Sequence, residues 1–335
     1  MNILVTGGAG YIGSHTTLEL LKKGHTVTVL DNLERGHQDT LDKITSQVGE
    51  FEFQKVDLKN LEELQSALQG KFYDAVIHFA AFIEVGESVK FPEKYYENNV
   101  IGSQNLFQSL LSNEVRNIIF SSSAAVYGTQ ESVPIPENAD KHPDSPYGDT
   151  KLQTEKNLEE HCANSGMNAV ALRYFNPGGA NGLIGERHVP ETHAVPRVLK
   201  AISDPNFTFG LFGDDYDTPD GSCIRDFIHI NDLVEAHISC IDYLHNNTGF
   251  HAFNVATGKG TSVLELIKTA EEVTGQKLNY RVEQRREGDP AQLVADPTKI
   301  MNEVGWSAKY GIKEILESTW EFEKTRPTED YEITK

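Results

Sequence analysis

Ser145-Pro-Tyr147-Gly-Asp-Thr-Lys151 sets a phenol and an ammonium four residues apart, a pair suited to moving a proton. Ser145-Pro146 reads as a helix N-cap followed by a first-turn proline, and positions i and i+4 share a helix face. Tyr147 is therefore expected near the positive end of a helix with Lys151 beside it, and both effects favour the phenolate. That help matters, because an unperturbed tyrosine with a pKa of about 10 is a poor base at neutral pH. The spacing is uninformative by itself: Tyr331-Glu-Ile-Thr-Lys335 repeats it in a polar tail, and any amphipathic helix with a solvated lysine shows the same pattern. Ser121-Ser-Ser123 closes an apolar run upstream. Its last hydroxyl could hold or relay a proton, although serines at strand ends also serve as ordinary hydrogen-bonding groups.

What must position these groups is legible in the first half of the chain. Short β-branched runs (NILVT, TVTVL, FEFQKV, DAVIHF, RNIIFSS, NAVALRYF) alternate with longer helical patterns. Such alternation predicts βαβ units and a parallel sheet covered on both faces. The expected fold is α/β, a Rossmann-type doubly wound parallel sheet with a smaller α/β substrate-binding domain. Residues 1–176 are expected to form the dinucleotide-binding domain, and 177–335 a discontinuous second domain. Segments at about 224–256 again look like a helix and a strand that return to the first sheet.

Gly7-Gly-Ala-Gly10-Tyr-Ile-Gly13 follows a predicted strand and opens a predicted helix, the context in which a glycine pattern signals a dinucleotide. Gly7 and Gly10 permit a tight turn and close approach to a pyrophosphate, Gly13 permits close helix–sheet packing, and the helix N-terminus faces the phosphates. TVTVL then ends in Asp31, about 20 residues on, where a carboxylate accepts from the adenosine ribose and repels a 2′-phosphate. NAD is therefore expected rather than NADP, with Arg35 the one nearby residue that argues the other way.

A formal charge of −20 argues against nucleic acid or anionic membrane as a partner. No apolar run approaches the ~20 residues of a membrane span, and the N-terminus enters a strand with no basic leader, so a cytoplasmic protein is expected. Three cysteines without CxxC spacing suggest neither a disulfide framework nor a zinc site. No metal is expected.

TGGAGYIGSH, LDNL, HFAA, VGESV, YYENNV, FSSSAAVYG, SPYGDTK, LRYFNPGGA, FGDDYDTPDGSCIRDFIHINDL and RREGDPA occur in that order. With them, the chain resembles the extended short-chain dehydrogenase/reductases, and within them the UDP-glucose 4-epimerase family, over nearly its whole length. The resemblance implies tightly held NAD and a UDP-sugar substrate whose C4 is oxidised, turned over and reduced on its other face, interconverting UDP-galactose and UDP-glucose. Tyr147 would be the base, with Lys151 and Ser123 in support. Cofactor contacts would come from Tyr11, Ile12, Asp31, Asn32, Asp57, Leu58, Phe79, Ala80, Ala81, Asn98, Tyr147, Lys151 and Phe175, besides the glycines. Substrate contacts would come from Ser123, Asn176, His193, Phe212, Arg225, Arg286, Asp289 and Leu293. A homodimer through the helices after HFAA and after Tyr147 is also implied.

Two positions qualify the resemblance. Ile83 stands where well-known members carry a lysine near the cofactor, and Leu293 has a size between those of strict and broad members at the position governing use of N-acetylated sugars. Partial activity on N-acetylated or pentose UDP-sugars is therefore expected. A nucleotide-sugar 4,6-dehydratase or decarboxylase would need an acidic residue where Ala124 and Ala125 stand, and a non-catalytic NAD sensor would not need both Tyr147 and Lys151.

Overall fold

The computed structural model describes residues 1–286 and 288–326; the Tyr331/Lys335 pair lies outside them. Seven strands form one parallel sheet: β1 Asn2–Thr6, β2 Thr26–Asp31, β3 Glu52–Lys55, β4 Ala75–His78, β5 Asn117–Ser123, β6 Asn168–Tyr174 and β7 Phe250–Val255. Their spatial order is β7-β6-β5-β4-β1-β2-β3, and every pairing is parallel. Sequence order reverses between β1 and β4, which makes their carboxyl ends the switch point where ligands bind in open α/β sheets.

The continuous apolar runs follow from burial on both faces. In β1, Ile3 and Val5 pack on one side with Leu18, Leu233 and Ile241. Leu4 packs on the other side with Leu106, Phe107 and Leu110. Leu18 comes from the Tyr11–Lys22 helix and Leu233 and Ile241 from the Ile230–Asn246 helix, so a segment distant in sequence covers the first strand. That helix leads into β7, which pairs with β6 from Phe250↔Ala169 to Val255↔Tyr174.

Beyond β6, short ladders replace the large sheet. Asn176–Gly178 pairs with Phe227–His229, and Phe209–Phe212 pairs with Tyr280–Glu283. Ile224–Arg225 lies between Thr261–Ser262 and Gln292–Leu293. Asp226 fastens this region to the main sheet, since its carboxylate accepts from Thr257 N at 2.9 Å and Gly258 N at 3.0 Å, just past β7. Its carbonyl accepts from Asn176 N at 3.1 Å, just past β6.

Candidate active site

Three glycines make the first part of the site. A Cβ on Gly7, which has φ +73°, would meet Ala80 N at 2.6 Å, and one on Gly13 would meet Gly7 O at 2.1 Å. These glycines let the loop, the end of β4 and the next helix close on one another. Gly10 is the N-cap of the Tyr11–Lys22 helix, with no side-chain cap for the amides behind it. An uncapped helix start beside a side-chain-free loop fits a pyrophosphate.

Asp31 ends β2 and is buried, with Oδ2 accepting from Ala9 N at 3.0 Å and Oδ1 from Leu33 N at 2.8 Å. Each oxygen keeps a further lone pair for a ribose hydroxyl. Burial pushes its carboxyl up, against those two amide bonds. Arg35 turns away, gripping both carboxylate oxygens of Glu87 at 2.9 and 3.1 Å, so it is engaged elsewhere and the preference for an unphosphorylated ribose stands. Asn32 meets Asp57 at 3.4 Å, and buried Leu58 follows just past β3. Phe79, Ala80 and Ala81 continue from β4, Phe79 N bonding Thr6 O at 3.0 Å. Asn98 donates to Asn99 Oδ1 at 3.0 Å, and Asn99 holds the backbone of Phe82 on both sides, at 2.8 and 3.0 Å. The groove from Gly10 to Asp31 is thus lined as a dinucleotide requires.

Tyr147 occupies the first turn of the Pro146–Ser165 helix, whose Ser145 N-cap accepts from Gly148 N at 3.2 Å. Its own amide donates to Ser88 Oγ at 3.1 Å. The phenol is 8 % exposed and the Lys151 side chain lies fully inside, the residue being 2 % exposed. Lys151 Nζ donates to Ser121 O at 2.7 Å, 5.9 Å from the Tyr147 ring centre. Ser123 ends β5, accepts from Ala125 N at 3.2 Å, and lies near enough to the phenol to act on its pKa. Tyr147, Lys151 and Ser123 therefore meet at the carboxyl edge.

The electrostatics differ from the expectation that Lys151 lowers the phenol's pKa. Burial pushes Tyr147 up to about 12, with Ser123 working the other way and the Glu84 charge adding to the rise. Burial also pushes Lys151 down to about 7, opposed by Glu155. Desolvation disfavours both charged forms and inverts their order. The lysine loses its proton before the phenol does, and near neutral pH it is only partly charged.

Glu84, whose charge raises the Tyr147 pKa, is a residue that sequence reasoning passed over. In the NAD-loaded protein, Glu84→Gln should lower the Tyr147 phenolate midpoint, read by ultraviolet difference against Tyr147→Phe, by up to about one unit. An unchanged or higher midpoint would remove Glu84 from the electrostatics of the phenol.

The substrate-side expectations fall on the short ladders. Arg225 forms an ion pair with Asp289, and its Nη1 donates to Ile224 O at 2.7 Å. The Arg286 guanidinium lies 3.8 Å over the Phe212 ring, and Leu293 is in register with Arg225. Asn176 Nδ2 donates to Asp226 O at 3.0 Å. Leu293 packs with Ala124, Phe175 and Ala295, which brings this group back beside the strand-end serines. Ala124 and Ala125 form a short 3-10 turn with no acid in it. His193 stands at the N-cap position of the Ala194–Ser203 helix without capping it through its side chain, and is drawn into a cluster with Glu186, His188 and Glu191, residues that the sequence reading did not select although their E-x-H-x-x-E-x-H spacing is visible in it. Arg197, on the first turn of that helix, also feels the charge of Arg286.

Residues 3–256 match the NAD dependent epimerase/dehydratase family. A relative named UDP-glucose 4-epimerase from Halalkalibacterium halodurans is 44% identical over 98% of this chain and 97% of its own. The UDP-glucose 4-epimerase structure from Stenotrophomonas maltophila, with bound NAD and formylated UDP-arabinopyranose, superposes with a TM-score of 0.94 at 37% identity over 97% of this chain and 98% of that one. The Bifidobacterium longum enzyme, in complex with NAD+ and UDP, gives 0.91 at 38% identity over 98% and 99%. A glycine-lined groove, a buried Tyr/Lys/Ser set at its carboxyl edge and full-length likeness of this order lead to one placement: the chain belongs to the NAD dependent epimerase/dehydratase family and groups within it with the UDP-glucose 4-epimerases.

Proposed function

We propose that this chain interconverts UDP-galactose and UDP-glucose by oxidation at C4 to a 4-keto sugar, rotation of that sugar, and reduction on its other face. The observation that carries the reading is the meeting of Tyr147, Lys151 and Ser123 beside the glycine-lined groove. NAD, when bound, supplies the acceptor that takes the C4 hydrogen with its electron pair and gives it back, and a positive ring beside the phenol. The residues do the rest. Tyr147 as phenolate takes the 4-hydroxyl proton and later returns it, while Ser123 donates to the same oxygen and fixes its direction. Lys151 holds the strand end through Ser121 O and contributes positive charge below its pKa of about 7.

Rotation requires a substrate held by its far end. Arg225 and Arg286 are the proposed diphosphate contacts, suited by their planar, permanently charged guanidinium groups. Asp289, Phe212, Asn176 and His193 would complete the nucleotide side. The proposed division is a NAD-binding domain of residues 1–176 with return segments about 224–256, and a UDP-sugar-binding domain in 177–335. Exposed Val89, Phe91 and Tyr96, on the segment after β4, support a homodimer through that segment and the Pro146–Ser165 helix. Among the described residues, no helix is long and apolar enough to cross a membrane; the proposed compartment is the cytoplasm, which the three free cysteines support.

A product assay tests the reading. Purified protein mixed with UDP-galactose, without added NAD, should yield UDP-glucose, and UDP-N-acetylgalactosamine and UDP-arabinose should turn over more slowly as Leu293 trims the pocket. A 4-keto-6-deoxy product would place the chain among the dehydratases, and no conversion at all would leave a cofactor-binding protein.

A further inference from the structure

Between the short Asn176–Gly178 strand and the Ala194–Ser203 helix, the chain reads Glu186-Arg-His188-Val-Pro-Glu191-Thr-His193. The turn folds these four side chains onto one another, so that one donor atom from each lies within 4.8 Å of all the others. His193 Nδ1 is 2.8 Å from Glu186 Oε1 and 2.9 Å from Glu191 Oε1, and His188 Nδ1 is 2.9 Å from Glu186 Oε1. The Glu186 side chain is 4% exposed. Glu191 Oε2 is fully buried and has no hydrogen-bond partner.

A network of hydrogen bonds alone accounts poorly for this arrangement. Two carboxylates converge on one imidazole nitrogen, which can give a single proton, and a buried carboxylate oxygen is left with none. Without a cation, charge balances only if both imidazoles are protonated, or if one is and a carboxyl keeps its proton. A divalent cation bound by two carboxylates and two neutral imidazoles is neutral overall, and it occupies the unpartnered oxygen.

We propose that Glu186, His188, Glu191 and His193 form a structural site for one divalent transition-metal ion, zinc by the character of its donors. Two imidazole nitrogens and two carboxylate oxygens suit zinc better than magnesium or calcium, which take oxygen ligands. Four protein ligands close a tetrahedral shell and leave no open position for catalysis. Tetrahedral bonds of 2.0–2.1 Å set the donors about 3.3 Å apart, so the closest donors here separate by roughly half an ångström when the ion enters.

The ion would stiffen a strap that crosses the dinucleotide groove. Arg187 Nη1 reaches both oxygens of Asp39 at 2.7 and 2.8 Å, Arg35 Nη1 donates to Val189 O at 3.2 Å, and Thr192 Oγ1 donates to Glu84 at 3.0 Å. These anchors lie after β2 and β4, on either side of the glycine loop, and the His188 ring stands 6.5 Å from that of Tyr11.

The test uses the NAD-loaded protein, stripped with EDTA, desalted, and dialysed against ZnCl2 with metal counted by mass spectrometry. Wild type should take up one zinc per chain and gain thermal stability from it, whereas MgCl2 should give neither. Glu191→Gln, which keeps the side-chain volume, and His188→Ala should each weaken zinc uptake by about tenfold or more and abolish the thermal gain, with unchanged circular dichroism. Wild type without stoichiometric uptake, magnesium bound as well as zinc, or either folded variant binding zinc like wild type would overturn the proposal.

Discussion

Tyr147→Phe should lower turnover by about two to four orders of magnitude, the range typical of a positioned acid–base group, while leaving the fold and bound NAD in place. The substitution removes one oxygen from a side chain whose backbone amide is held by Ser88 and whose helix is capped by Ser145, so positioning survives and only the proton transfer is lost. Full or near-full activity in this variant would sink the assignment of the base. The magnitude rests on what the phenol must overcome. From about 12, bringing it to neutrality needs roughly 7 kcal/mol of preference for the charged form. A unit charge about 4 Å away, at an effective dielectric of 20, supplies about 4 kcal/mol. Lys151 supplies that charge only while protonated, and less of it as the pH rises through about 7. A second charge that does not titrate is needed beside it, and the oxidised nicotinamide ring would meet that condition. Cofactor binding and activation of the base are then one event. The phenolate absorbance of the NAD-loaded protein should appear at lower pH with the oxidised cofactor than with the reduced one.

Much of this arrangement is legible in the chain because it is local. Gly7 to Gly13, the TVTVL strand ending at Asp31, and the Ser145-Pro146 start of the Tyr147 helix each declare themselves within a dozen residues, where backbone conformation and capping chemistry decide the outcome. The return of Phe250–Val255 to the sheet could also be expected, since FHAFNVA reads as a strand just after a long helical pattern. What resisted reading depends on distance. The Tyr147 shift is set by its own burial, with Ser123 and Glu84 acting on it, and the Lys151 shift by burial against Phe120 and Ser121, none of which is encoded in the Tyr–Lys spacing. Arg225 and Asp289 are 64 residues apart, and nothing in either motif says that they pair. The Glu186/His188/Glu191/His193 group has a visible spacing but lies in a loop, where no helix or strand period tells which side chains converge.

Arg173→Met should be the most destabilising single change outside the reacting groups, costing about 3–5 kcal/mol. Arg173 sits in β6 with its guanidinium forked on Glu155, Nε to Oε1 at 2.9 Å and Nη2 to Oε2 at 2.6 Å, the two side chains only 3% and 4% exposed. Its Nη1 also donates to Tyr127 Oη and Glu137 O, both at 3.0 Å. Methionine fills much of the volume but leaves the Glu155 carboxylate with Ser122 as its remaining close donor, at 2.5 Å. An interior charge stripped of its partner is the expensive outcome. Removing both charges should be much less damaging, so Arg173→Met combined with Glu155→Leu is expected to recover most of the lost denaturation midpoint. Equal loss in single and double variants would mean that packing, not charge, holds the site. The same pair reaches the chemistry, because Tyr147, Lys151 and Glu155 follow one another at i, i+4 and i+8 along one helix face, and Glu155 is the charge that opposes the downward shift of Lys151. With Glu155→Leu, Lys151 should give up its proton at still lower pH, and the fall in activity attributable to Lys151 should move down the pH scale with it. A profile that stays in place would separate the ion pair from catalysis and leave it a purely structural clamp between β6 and the helix that carries Tyr147.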